Sequence, residues 1–180
     1  MTQFRGQKMV DGKDQRPLVS LVMNFTKPTD TKPSLLTFNE VTTFLHEFGH
    51  ALHGMFSKCT YGSTSMDGVS RDFVELPSQF MENYALEKEW LDTWAVHYQT
   101  GEKIPQEYID KIKKSSNFQA GYASDRQLSF GMVDMAWHTI TEPVTEPLVD
   151  FEQRAMGKTE IMPLVKGSAF SPAFGHIFAG

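Results

Sequence analysis

Residues 37–57 read TFNEVTTFLHEFGHALHGMFS, and the spacing of their side chains decides the architecture. Phe38, Val41, Leu45, Phe48, Leu52 and Met55 recur every three or four positions, which is the period of an amphipathic helix. Thr37 and Glu40 stand in capping-box spacing, so the helix is expected from about residue 38 to about 57. At about 100° per residue these apolar side chains form one stripe, with His46, His50 and His53 clustered roughly opposite. One face is expected to pack into a core and the other to present imidazoles to a cleft.

Outward from this helix the chain alternates apolar runs with breakers. PLVSLVMNF, residues 17–25, is the best strand candidate, ended by the Pro-containing TKPTDTKPS. A single strand cannot make a sheet, and no partner is obvious elsewhere. The Gly- and Ser-rich KCTYGSTSMDGVS, residues 58–70, reads as a loop. A second helix is expected from about 72 to 97, with Pro77 in its first turns or bending it. Pro105 suits the start of a third helix through about 114, and a fourth follows over 126–140. TEPVTEP then breaks the chain before a short helix near 148–156 and a Pro- and Gly-punctuated tail, KGSAFSPAFGHIFAG. The expected class is mainly α with a minor β element, and residues 1–180 are expected to form a single segment truncated at both ends.

Composition narrows the function. The formal charge of −5 and scattered Lys and Arg argue against nucleic acid as a partner. The single cysteine, Cys59, rules out an intrachain disulfide and a Cys-rich metal knuckle. No segment reads as a signal peptide or approaches membrane-spanning length, so no membrane partner is expected, and a cytoplasmic location is the expectation.

Chemistry concentrates in His46-Glu47-Phe48-Gly49-His50. Two histidines four apart on a helix sit one above the other, so both imidazoles can reach one ion. Taken alone, the motif also fits a polar helix surface. A hydrolytic zinc site uses three protein groups and keeps a fourth position for water, so a third ligand is required. Glu75, within RDFVELPSQ, is placed to supply it if the next helix returns antiparallel after the loop. Gln79 and Glu82 share a helical face with Glu75; they either steady the ligands by hydrogen bonding or form an ordinary polar face. His53 follows His50 by three residues, but a fourth protein ligand would close the open position. It reads as a support for the ligands or a structural residue.

HEFGHALH followed by RDFVELPSQFMEN resembles the signature of the thimet oligopeptidase and dipeptidyl carboxypeptidase group of zinc metallopeptidases, in both halves and the interval between them. The likeness runs from RPLVSLVMNFTKP to the terminal FGHIFAG, and HALHGMF is most similar to the bacterial peptidyl-dipeptidase branch. It implies a zincin-type helical catalytic-domain segment with one Zn²⁺ held by His46, His50 and Glu75, and with Glu47 as general base. Short peptides are the implied substrates and release of C-terminal dipeptides the implied activity; an endo-acting oligopeptidase with the same site is the alternative. His176 in FGHIFAG matches a family histidine that contacts substrate and helps stabilise the tetrahedral intermediate. The tyrosines that the resemblance places just after it lie beyond Gly180. The rest of a full-length chain is expected to complete the cleft, so the segment alone is expected to bind zinc with little or no turnover. Ser65-Met66-Asp67-Gly68 departs from the Ser-Gly-Thr loop the resemblance leads one to expect.

Overall fold

A computed structural model describes residues 1–159, 161–162 and 165–179. It resolves into two compact units, Met1–Lys113 and Lys114–Gly180. Among the described residues the structure is mainly helical with two small two-stranded sheets. Among the described residues no helix is long and apolar enough to cross a membrane.

The first unit opens with four short strands: β1 (Thr2–Arg5), β2 (Lys8–Val10), β3 (Lys13–Gln15) and β4 (Leu18–Ser20). β2 and β3 form a hairpin closed by Asp11 and Gly12, whose φ angles of 50° and 73° are those of a turn that matches strand twist. β1 pairs antiparallel with β4. The expected strand over 17–25 is therefore shorter, and its missing partner is the polar start of the chain. Gln7, 2% exposed, ties the hairpin to the chain after the central helix: its amide nitrogen donates to Asp14 (2.8 Å) and its oxygen accepts from the Cys59 main chain (2.8 Å).

The central helix α1 (Phe38–Phe56) has the expected bounds and the expected cap. Thr37 Oγ1 accepts from the Glu40 main chain, and the Glu40 carboxylate accepts from the Thr37 main chain at 2.7 Å. Its packing differs from the expectation. Of the apolar stripe only Leu45 is buried and the rest are half-buried, while Gly49 and Ala51 at the edges of the stripe and Gly54 beyond it are buried. A Cβ added at Gly54 would meet the Gln3 and Met66 side chains, so β1 and the loop beyond α1 approach that side closely.

The loop over 58–70 holds two 3₁₀ turns, Gly62–Thr64 and Met66–Gly68. Gly68 passes so close to the Ser63 carbonyl that a Cβ would lie 1.8 Å from its oxygen. The second expected helix is broken into α2 (Arg71–Val74), α3 (Leu76–Glu82), a 3₁₀ turn over Asn83–Leu86, and α4 (Lys88–Leu91). Pro77 explains the first break, because its ring excludes the carbonyl four residues earlier and it offers no N–H. Beyond α4 the chain leaves helix for a bridge between Val96 and Lys103, so the expected extension to 97 is not realised. α5 (Gln106–Ser115) follows Pro105 as expected and buries Ile109 completely.

The second unit contains α6 (Ala120–His138), α7 (Leu148–Met156), a 3₁₀ turn over Ser171–Ala173, and α8 (His176–Ala179). α6 starts earlier than expected, after Gln119 at φ 54°. Val133, Met156 and Ile177 form the core, with Trp137, Phe170 and Phe174 packed against it. Glu152, 1% exposed, accepts from the main-chain nitrogens of Phe170 and Ser171, both at 2.6 Å, which anchors the returning tail.

Candidate metal centre

Two helices of the first unit build the site. His46 and His50 lie one turn apart on α1, their ring centroids 4.9 Å apart and their planes at 86°. Glu75 occupies the junction of α2 and α3, where the chain must reset because of Pro77. α3 meets α1 at Gly49. A Cβ there would lie 2.6 Å from both the Pro77 carbonyl oxygen and the Ser78 Cα, so only glycine permits this approach.

The result is one convergence point. Glu75 Oε2 lies 3.2 Å from His46 Nε2 and 3.2 Å from His50 Nε2. One ligand atom from each of the three residues lies within 4.8 Å of the others. The histidine side chains are 27% and 13% exposed and the Glu75 side chain is 49% exposed, so the point is reachable from solvent.

The surroundings favour a cation at that point. Glu82 Oε1 lies 2.7 Å from His46 Nδ1. A carboxylate only accepts, so the ring carries a proton on Nδ1, and in the neutral ring the Nε2 lone pair is then turned toward Glu75. Nε2 and a carboxylate oxygen are then two acceptors facing one another, and a metal ion reconciles them. Two imidazoles and one carboxylate are a donor set that suits Zn²⁺ and leaves a fourth position open. The residues present therefore fit the ion.

Glu47 follows His46 on α1 within the electrostatic reach of both imidazoles, and its carboxylate accepts from the Met1 ammonium. That hydrogen bond, opposed by partial burial and assisted by the charge of the ammonium and by the neighbouring imidazoles, holds the Glu47 carboxyl below its ordinary value.

The other expected residues separate. Glu82 is on His46. Gln79 is exposed and makes no hydrogen bond to either histidine among the described residues. His53 lies outside the cluster; it lines a cavity of about 390 Å³ with Phe56, Cys59, Met66 and Met81, and its buried Nδ1 has no hydrogen-bond partner among the described residues. His176 begins α8 in the second unit, its ring 5.8 Å from that of Phe174. Ser78 is the residue that sequence reasoning missed: it is fully buried, and its hydroxyl lies 2.8 Å from Glu75 Oε2. Its signal was a small hydroxyl three positions after the acidic ligand, on the same helical face.

The model of peptidase family M3 matches residues 1–180. The organellar oligopeptidase A of Arabidopsis thaliana, named chloroplastic/mitochondrial, is 43% identical over 166 residues, which cover 91% of this chain and 21% of that protein. Oligopeptidase A of Escherichia coli is 40% identical over 179 residues, covering 96% of this chain and 26% of that protein. Dipeptidyl carboxypeptidase of Salmonella typhimurium is 38% identical over 169 residues, covering 93% and 25%. The chain spans about a quarter of the length of these relatives.

Proposed function

This chain belongs to peptidase family M3, and from that premise we propose that His46, His50 and Glu75 hold one zinc ion and that Glu47 serves as general base in the hydrolysis of short peptides. The convergence of two imidazole nitrogens on one carboxylate oxygen, 3.2 Å from each, is the observation that carries the reading. Zinc bound there would supply Lewis acidity, acidifying water and polarising a peptide carbonyl. The remaining work falls to side chains. Glu82 keeps the His46 ring in the tautomer that frees Nε2. Glu47 is placed next to the ligand His46 to take the proton of the attacking water and pass it to the leaving amine. His176 is proposed to contact substrate in the complete enzyme, with cleft walls supplied by further sequence of the kind the longer relatives have.

Within peptide hydrolysis, removal of C-terminal dipeptides is the proposed activity, consistent with the relatives named dipeptidyl carboxypeptidase. The endo-acting reading stands beside it because relatives named oligopeptidase A align at 39–43% identity against 37–38% for the dipeptidyl carboxypeptidases. A cytoplasmic location belongs to the same proposal. The deciding assay compares a free and a C-terminally amidated peptide: cleavage of the free form alone supports the exopeptidase reading, and internal cleavage of both supports the alternative. Metal analysis tests the site itself. One zinc per chain, lost in Glu75→Ala, is expected; equal zinc content in the variant would remove Glu75 from the ligand set.

A further inference from the structure

Ser78 is 0% exposed, beneath α1 at the point where Gly49 lets the two helices meet. Its Oγ lies 2.9 Å from the Glu75 carbonyl oxygen and 2.8 Å from Glu75 Oε2. One hydroxyl has one proton, and the two acceptors are not equal. The carbonyl oxygen already accepts from the Gln79 main chain at 2.9 Å. The carboxylate is charged and forms the stronger bond, so the proton goes to Oε2. Oε2 is also the oxygen that faces both imidazoles. A carboxylate oxygen has lone pairs enough to take a hydroxyl on one side and an ion on the other.

We propose that Ser78 is a positioning residue of the metal centre, whose buried hydroxyl fixes the Glu75 carboxylate with Oε2 turned toward His46 and His50. Glu75 needs such a restraint because its side chain is half exposed, and the terminal torsion of a glutamate is broad with roughly two-fold symmetry. Without the hydroxyl the carboxylate can turn, presenting either oxygen or both. Ser78 lies on the side closed by α1, so water cannot replace the lost donor there. The proposal rests on the zinc reading above.

The test titrates the metal-free protein with zinc against a competing chromogenic chelator, for the native protein, Ser78→Ala and Ser78→Cys. Cysteine fills the volume of serine but is a weak donor. Both variants are expected to bind zinc about 10-fold or more weakly, the usual scale for losing a group that orients a ligand. Their cobalt-substituted forms should also show weaker visible bands than the native protein, as a freed carboxylate binds through both oxygens. Native affinity in Ser78→Cys without a thiolate charge-transfer band in its cobalt form overturns the proposal, because volume alone would then suffice; where that band shows the new thiol ligating the ion, native affinity in Ser78→Ala overturns it. Failure of the native protein to take up zinc sinks the metal reading and this one together; tight native binding with unchanged variants sinks only this one. Circular dichroism in excess chelator confirms that each variant compared is folded, and Ser78→Cys decides alone if Ser78→Ala is not.

Discussion

His46 Nδ1 and Glu82 Oε1 meet at 2.7 Å, binding the central helix to the C-terminal end of α3. The contact joins the same two helices as the Glu75 contact and lies on the opposite edge of the His46 ring, so it sets both tautomer and ring plane. Glu82→Ala is expected to weaken zinc binding by about 10- to 100-fold. Glu82→Gln keeps an accepting oxygen and should fall between. Chelator competition measures all three, and equal affinity across the series would show that Glu82 does not orient His46.

Glu47→Gln is expected to keep zinc and lose hydrolysis in the complete enzyme, since the amide keeps the shape of the side chain and cannot accept a proton. Loss of a general base costs about 10²- to 10⁴-fold in rate. Metal content and single-turnover cleavage of a fluorogenic peptide, measured on the same preparation, separate the two properties. A variant with native turnover excludes Glu47 from the role, and one with native turnover lost together with its zinc places Glu47 in the metal's support instead.

Which parts of the molecule could be read from sequence follows from how local their causes are. α1 matches its expected bounds because a capping box and a 3.6-residue period are both written within its own residues. α7 is bounded by Pro147 and matches as well. The β1–β4 pair was not legible, because Thr2–Arg5 is polar and its partner Leu18–Ser20 is fixed by tertiary contact rather than by pattern. The burial of α1 was misjudged for a related reason. Hydrophobic pattern picks out Phe48 and Met55, whereas close approach of a neighbouring element selects small residues, Gly49 against α3 and Gly54 against β1 and the loop beyond α1, which carry no hydrophobic signal. His46, His50 and Glu75 were legible as a motif. Ser78 was missed, since its spacing from Glu75 puts it on the same helical face but does not by itself say that the hydroxyl is buried.

The capping box predicts a pH dependence. Hydrogen bonds from the Thr37 and Thr26 main chains, aided by the Thr26 hydroxyl, lower the Glu40 pKa from 4.5 to about 2. A group depressed in the folded state stabilises it above its unfolded pKa, and the contribution disappears as pH falls through the folded value. Native protein should therefore melt above Glu40→Gln at neutral pH, with the gap constant down to about pH 4.5 and narrowing toward about pH 2. Paired melting curves across that window test it. A gap that stays constant to pH 2 would mean that the Glu40 charge contributes nothing to the cap.

Gly49 and Gly131 both lie inside helices, yet alanine should have opposite effects at the two positions. Glycine in a helix interior costs about 1 kcal/mol relative to alanine, so where space is free the substitution stabilises. At Gly131 in α6 a Cβ meets nothing within 4 Å among the described residues, and Gly131→Ala should raise stability by up to about 1 kcal/mol. At Gly49 the same atom would lie 2.6 Å from Pro77 O and from Ser78 Cα. Both are main-chain atoms that cannot rotate away, so α3 must retreat from α1. Overpacking of this kind typically costs about 1–3 kcal/mol, which outweighs the propensity gain. Retreat also carries Glu75 away from His46 and His50, so Gly49→Ala should lose zinc affinity as well as stability, whereas Gly131→Ala should leave affinity unchanged. Denaturant unfolding and zinc titration on the two variants provide the comparison; a Gly49→Ala protein as stable as native with native zinc affinity would mean that the close helix approach does not set the geometry of the centre.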